Sequence, residues 1–288
     1  MRQPLPACAA ALCLLPLVLA QVNGNGGGPL VVEAGHPSSS IQLDGRLDEP
    51  AWREARTVEL AQQAPKPGAP SPYRTKVRVL VLDNKLYFGF ECTDPNPSAI
   101  AVHTMQRDGI VDGDDTVAVV LDTYGDHRTG YFFRVNAAGA RVDGLVASSE
   151  LPSLDWDGIW DARTARVPGG WSAEIVIPAN TLSFAKGLAE WGVNFERNIA
   201  RDRTVMRWSS PTLDSVLYDL SRAGSLSGVA GLKQGRGIEV SPFAVGRVQT
   251  DFRQPNRVWQ GQPGADITWR IRSDRPIQPK TSVKNASR

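Results

Sequence analysis

The stretch Lys76–Leu82 (KVRVLVL), Asp83-Asn84-Lys85 and Leu86–Cys92 (LYFGFEC) decides the fold. Apolar residues recur at every second position on both sides of a short polar turn. A period of two puts one set of side chains on each face of a strand, and a polar turn between two such runs predicts a β-hairpin with one buried face. Thr93–Ser98 (TDPNPS) ends it.

Working outward, the same grammar repeats. Thr116–Asp122 (TVAVVLD) reads as a buried strand, Tyr131–Val135 (YFFRV) as another, and Asn136–Gly139 turns into Arg141–Val146. Ile159–Arg166 and Trp171–Ile177 flank Pro168-Gly169-Gly170, a further hairpin signal. Trp191–Ala200 and Thr204–Trp208 read as later strands, and Pro178–Phe184 as a short helical turn. Leu47–Ala55 (LDEPAWREA) predicts one or two helical turns, with Asp48 as cap, Pro50 in the first turn and Trp52 as a core anchor. The proline-rich run Ala61–Pro72 predicts an extended loop. Short strands without long helices between them, in a chain with 27 Gly and 21 Pro, predict an all-β class. The expected architecture is an antiparallel β-sandwich of Ig-like or jelly-roll type with one or two short helical turns.

The ends differ in character. Met1–Ala20 has Arg2, an apolar stretch and small residues at its close, the pattern of a secretory signal peptide. It predicts export to the periplasm, cell surface or medium. Residues 21–37 read as a flexible leader and 38–232 as the sandwich. No later run approaches about eighteen apolar residues, so no helical membrane span is expected after signal removal. Residues 270–288 form a basic tail expected to be disordered. With Cys8 and Cys13 inside the signal segment, Cys92 is left alone and reads as a small buried apolar side chain.

The charge balance excludes one large class of partners. A net charge of +2 over 288 residues argues against nucleic-acid binding, which needs a basic excess on the bound face. No G-x-S-x-G elbow, H-E-x-x-H helix or phosphate loop occurs, and His36, His103 and His127 sit in unlike contexts. The densest carboxylate group is Asp108, Asp112, Asp114 and Asp115 in RDGIVDGDDTV. Three readings stand side by side. Asp112, Asp114 and Asp115 form a structural calcium site, or the run is a polar turn before the strand, or it is half of a glycosidase pair needing a distant partner such as Glu174 or Glu196. Among the eight tryptophans, Trp156 and Trp160 lie in the run Asp155–Asp161 (DWDGIWD). Trp156 is a candidate platform for sugar C–H faces, with flanking carboxylates to accept hydroxyl hydrogens; Trp52, Trp171 and Trp191 read as core.

Ile41–Trp52 (IQLDGRLDEPAW) resembles the opening motif of family 9 carbohydrate-binding modules. The resemblance continues through Val77–Asp94, Asp115–Asp122, Phe133–Asn136, Trp171–Pro178, Trp191–Phe195 and Trp208–Pro211, over about residues 38–230. It implies an Ig-like β-sandwich that binds carbohydrate without catalysis. On this resemblance Arg134, Glu196 and Asn198 hydrogen-bond sugar hydroxyls, with Trp156 or Tyr218 as the stacking surface. The pattern departs from sugar-binding members at the aromatic clamp: Asp112 stands at one clamp position, and the other falls near Val216, where Tyr218 is the nearest ring. Thr129–Asn136 (TGYFFRVN) and the DWDGIWD run are similar to a subgroup in which the sandwich precedes an outer-membrane β-barrel. Arg236–Gly246 and Gly264–Trp269 resemble a barrel entry, so 233–269 reads as a remnant of that segment in a truncated member.

The functional expectation is a secreted, non-catalytic carbohydrate-binding module linked to polysaccharide binding or breakdown, with no required cofactor and a possible structural calcium. The alternative is an envelope module that contacts an outer-membrane or cell-surface protein. A glycoside hydrolase is the third reading.

Overall fold

The computed structural model describes residues 30–148, 151–235, 238–250 and 257–269. Its strands are β1 (Val31–Glu33), β2 (Thr57–Glu59), β3 (Ala61–Ala64), β4 (Thr75–Leu82), β5 (Lys85–Thr93), β6 (Thr116–Asp122), β7 (Gly130–Asn136) and β8 (Arg141–Val146). They continue with β9 (Asp161–Val167), β10 (Gly170–Pro178), β11 (Trp191–Ile199), β12 (Thr204–Arg207), β13 (Gly224–Ser227), β14 (Ile238–Thr250) and β15 (Arg257–Trp269).

Two sheets face each other. The larger runs β1-β13-β11-β6-β7-β8, with β12 added alongside β11 and β3 alongside β12. The smaller runs β2-β4-β5-β10-β9. The predicted sandwich is therefore present. Its core is made by every second residue of facing strands: Leu86, Phe88 and Phe90 of β5, Trp171, Ala173 and Ile175 of β10, Val117, Val119 and Leu121 of β6, Phe133 and Val135 of β7, and Val193 and Phe195 of β11. Phe195 lies 6.1 Å from both Phe88 and Phe90, ring centre to ring centre, and 5.4 Å from Trp208, which joins the two layers. Such ring pairs add stabilisation of about 0.5–1.5 kcal/mol each beyond their buried area.

The decisive hairpin forms as read. Asp83 and Asn84 both adopt left-handed φ (50° and 61°), the geometry of the tight two-residue turn whose twist matches its strands. Its outer face is covered too, which the alternation did not show. Segment 41–55 lies across the smaller sheet, and Ala51 and Trp52 pack on Leu80, Tyr87 and Val176. Trp52 is thus an anchor, 1% exposed, but in this separate outer cluster and not between the sheets.

Other expectations are corrected. Pro50–Glu54 is one 3-10 turn with Glu49 at the cap position and no side-chain cap, so Asp48 does not cap it. Ala61–Ala64 precede the first proline of their run and are free to pair, forming β3 against β12. Residues 179–181 form a plain turn in place of a helical one. Within the expected leader 21–37, Val31–Glu33 form β1, parallel to β13, with Val32 buried. Cys92 is buried as expected, and burial pushes its thiol up to about 12. Among the described residues, β14 and β15 pair only with each other, as a two-stranded ribbon over the expected barrel-entry segment. The signal-peptide and tail readings lie outside the described residues.

Candidate functional site on the outer face of the larger sheet

Strand register builds the site. Arg207 of β12 pairs with Glu196 of β11, Glu196 with Ala118 of β6, and Ala118 with Arg134 of β7. Directly paired residues share a face, so these four form one row across the outer side of the sheet. Neighbouring strands lie about 4.8 Å apart, which places Glu196 and Arg134 two strands from each other. Ala118 between them carries only a methyl group, too short to intervene, and their charged ends approach to 3.9 Å.

The loop 209–223 folds over the apolar end of this face. Leu217 and Leu220 pack on Val120, Phe132 and Val142, with Tyr218 at the margin. The Tyr218 ring meets Phe132 edge-on at 5.4 Å, and the Arg134 guanidinium stacks on the other ring at 5.0 Å from the Phe132 centre. Arg134 Nη2 donates to the Tyr218 hydroxyl at 3.3 Å. Burial raises the Tyr218 phenol above its ordinary pKa, so it stays a neutral hydroxyl near pH 7.

Arg134 is held between two carboxylates without being consumed by either. Asp112 Oδ1 is 3.8 Å away and Glu196 Oε1 3.9 Å, beyond hydrogen-bonding distance. The second oxygen of Glu196 is tied to Arg207, which also donates to the Ser215 carbonyl at 3.0 Å. Asn198 donates to the Asp114 carbonyl at 3.3 Å from the same strand. Arginine donors and a carboxylate oxygen that takes no hydrogen bond among the described residues thus come together on a largely buried, partly apolar patch, with the Asn198 amide one row away.

Of the sequence-predicted residues, the fold brings Arg134, Glu196, Tyr218 and Asp112 together, with Asn198 one row away. It does not bring Trp156. That ring packs on the core side of the sheet, 5.0 Å from Tyr131 and 5.9 Å from Phe133, opposite to Phe132 and Arg134. Its position follows from period two, because Tyr131 and Phe133 point inward and Phe132 and Arg134 outward. Trp160 packs in the core.

The three aspartates of the calcium reading diverge. Asp112 points outward to Arg134. Asp114 is fully buried and accepts from the His103 backbone at 2.7 Å, from Asn136 at 2.7 Å, and meets His103 Nδ1 at 2.6 Å. Asp115 accepts from the Ala200 backbone at 3.1 Å, and burial raises its pKa. Among the described residues, no group of three or more His, Cys, Asp or Glu could hold a metal ion. Glu174, the distant glycosidase partner, sits under Trp52 on the other sheet, so it does not face Asp115 across a cleft.

Arg207 was missed by sequence reading. In TVMRW the buried Met206 and Trp208 put it out of phase and therefore outward, which is the available signal. The buried pair Asp94 and Arg197, with the half-buried Arg201, was also missed; Asp94 lies 3.6 Å from Arg197 and 2.6 Å from Arg201. That group caps the end of the sandwich, and nothing in local sequence joins Thr93-Asp94 to β11.

Compared by sequence, the chain matches no family model and no curated protein. Three solved structures are similar in fold. One is a protein from Bacteroides uniformis ATCC 8492 provisionally described as carbohydrate-binding, at 13% identity and TM-score 0.56, covering 69% of this chain and 99% of that one. Another is a family 9 carbohydrate-binding module from Caldicellulosiruptor kristjanssonii in complex with glucose, at 17% identity and TM-score 0.51, covering 69% and 95%. The third, a family 9 module from the same organism in complex with cellotriose, has 18% identity and TM-score 0.49, covering 69% and 92%. The chain has the β-sandwich fold of family 9 carbohydrate-binding modules.

Proposed function

We propose that the outer face of the larger sheet binds carbohydrate without chemical change to it, in an exported protein. The carrying observation is the Arg134–Glu196 pair at 3.9 Å. One hydroxyl of a sugar accepts from Arg134 and its neighbour donates to Glu196 Oε1, a spacing that suits a diol. Asp112 and Asn198 add polar contacts at the rim, and Tyr218 with Phe132 supplies apolar surface beside them. The fold shared with two carbohydrate-associated structures supports the reading. A few hydrogen bonds in water with one partly buried ring correspond to millimolar-to-micromolar affinity. Calorimetry against xylan, cellulose and soluble sugars tests it. Saturable binding is expected, weakened about tenfold or more by Arg134→Ala, the loss of one charged donor. Binding that Arg134→Ala leaves unchanged refutes the assignment of this face.

A second reading, an envelope module contacting a membrane protein, draws on the β14–β15 ribbon. Its register pairs Ile238 with Trp269, Val240 with Ile267, and Val248 with Trp259. Apolar residues thus stand at paired positions of the register, and a two-stranded ribbon alone is marginal in water. Co-purification of the full chain with an outer-membrane protein, lost on removing residues 236–288, supports this reading. No helix among the described residues is long and apolar enough to cross a membrane.

A further inference from the structure

At the edge of the larger sheet, away from the Arg134 row, lies a cavity of about 270 Å³ between the loops Phe184–Leu188 and Val229–Gln234. Trp191, at the start of β11, closes its back, and Phe184 packs on that indole at 5.1 Å. Leu188 and Leu232 complete an apolar floor. Lys186 and Lys233 line the same cavity, both exposed, and neither forms an ion pair among the described residues, whereas Lys76 is paired with Glu91.

Both walls are fixed by hydrogen bonds that leave the ammonium groups free. Ala185 N donates to Thr123 O at 3.1 Å and Thr123 Oγ1 to Ser183 O at 2.6 Å. Across the cavity, Lys233 N donates to Asn84 Oδ1 at 2.6 Å and Asn84 Nδ2 returns a bond to Lys233 O at 3.0 Å. The walls are therefore preformed, which lowers the ordering cost of binding. Two unpaired cations over an aromatic floor complement a carboxylate carried on a compact ring with apolar C–H faces. Small-molecule sites run from about 300 to 1,000 Å³, so this one suits a single sugar-sized ring and little more.

We propose that this cavity is a second binding site, for one uronate unit, with its carboxylate between Lys186 and Lys233 and its ring against Phe184 and Leu188. The site does not depend on the Arg134 row. The test is an NMR titration of the ¹⁵N-labelled full chain with glucuronate, with an oligogalacturonate and with neutral glucose. Saturable shifts at Ala185–Leu188 and Val229–Gln234 are expected with the acidic probes and not with glucose. A response to the oligomer alone would mean that more than one unit is needed and would overturn the one-unit assignment. The Lys186→Ala/Lys233→Ala variant, and separately the exposed single change Lys186→Glu, should weaken binding about tenfold or more. Added salt should weaken it as well. Arg134→Ala should leave it intact, which separates failure here from failure of the outer-face reading. Equal shifts with glucose, an undiminished response in the lysine variants, or no saturable shift with either acid would overturn the proposal.

Discussion

Glu174 shows how much one side chain can link. It stands on the outer face of β10 with no exposed surface. One carboxylate oxygen accepts the Asp44 and Gly45 amides at 2.9 and 2.8 Å, and the other accepts the Trp52 indole N–H at 3.1 Å. The three donors favour the ionised form, but burial outweighs them and pushes the carboxyl from 4.5 up to about 7, with the Glu49 charge adding to the rise. A carboxyl with a raised pKa binds its proton more tightly in the folded than in the unfolded chain. Its favourable contribution is therefore full below about 4.5 and is lost as pH climbs through about 7. Thermal unfolding followed between pH 5 and pH 8 should show a decline on the order of 2 kcal/mol attributable to this group. Glu174→Gln should remove that part of the pH dependence. An identical pH profile for the variant would contradict the argument. Tyr87 also faces this cluster, but its phenol is raised and stays neutral throughout.

The element that brings Glu174 its partners is the segment 41–55. Its 3-10 turn can lie on the smaller sheet because β5 presents Gly89 there. A Cβ on Gly89 would stand 2.8 Å from both Trp52 Cζ3 and Leu47 Cδ2. Overpacking of this kind costs about 1–3 kcal/mol, and truncating a buried Trp about 3–5 kcal/mol. Gly89→Ala should therefore lower the melting temperature by several degrees. In the Trp52→Ala background the same substitution should cost much less, since the indole contacts are then gone and the flexible end of Leu47 can move into the space they leave. Additive losses in the four-member cycle would show that the indole does not rest on this glycine. The β4–β5 turn carries a parallel conflict. Backbone geometry alone favours glycine at Asn84, but its side chain holds Lys233 from both sides. Asn84→Gly is accordingly expected to destabilise, by about 1 kcal/mol, where turn preference alone forecasts a gain.

At the scale of the molecule, the two sheets close on each other without a strand from the ribbon β14–β15, which among the described residues pairs only with itself. Among the described residues, those that make the cores between and outside the sheets end at Leu232. A chain ending at Gly235 should therefore melt as the full chain does, within a few degrees, and keep its sugar titration. A collapse of the melting transition on that deletion would mean that the ribbon holds the sandwich together.

Much of this architecture was legible in short stretches of sequence. Alternation in KVRVLVL and LYFGFEC, and the apolar run TVAVVLD, determined strands, because side chains two apart must share a face. Arg134 could be read as outward from its phase against Phe133 and Val135. What local sequence does not contain is which strand lies beside which. Only the tertiary register set Glu196 opposite Arg207 and one small alanine away from Arg134. The same register turned Trp156 to the core side and sent three neighbouring aspartates in three directions. It also carried Trp52 over the outside of the smaller sheet. A pairing between strands far apart in the chain depends on how whole faces bury one another, and that sum is not written in any single segment.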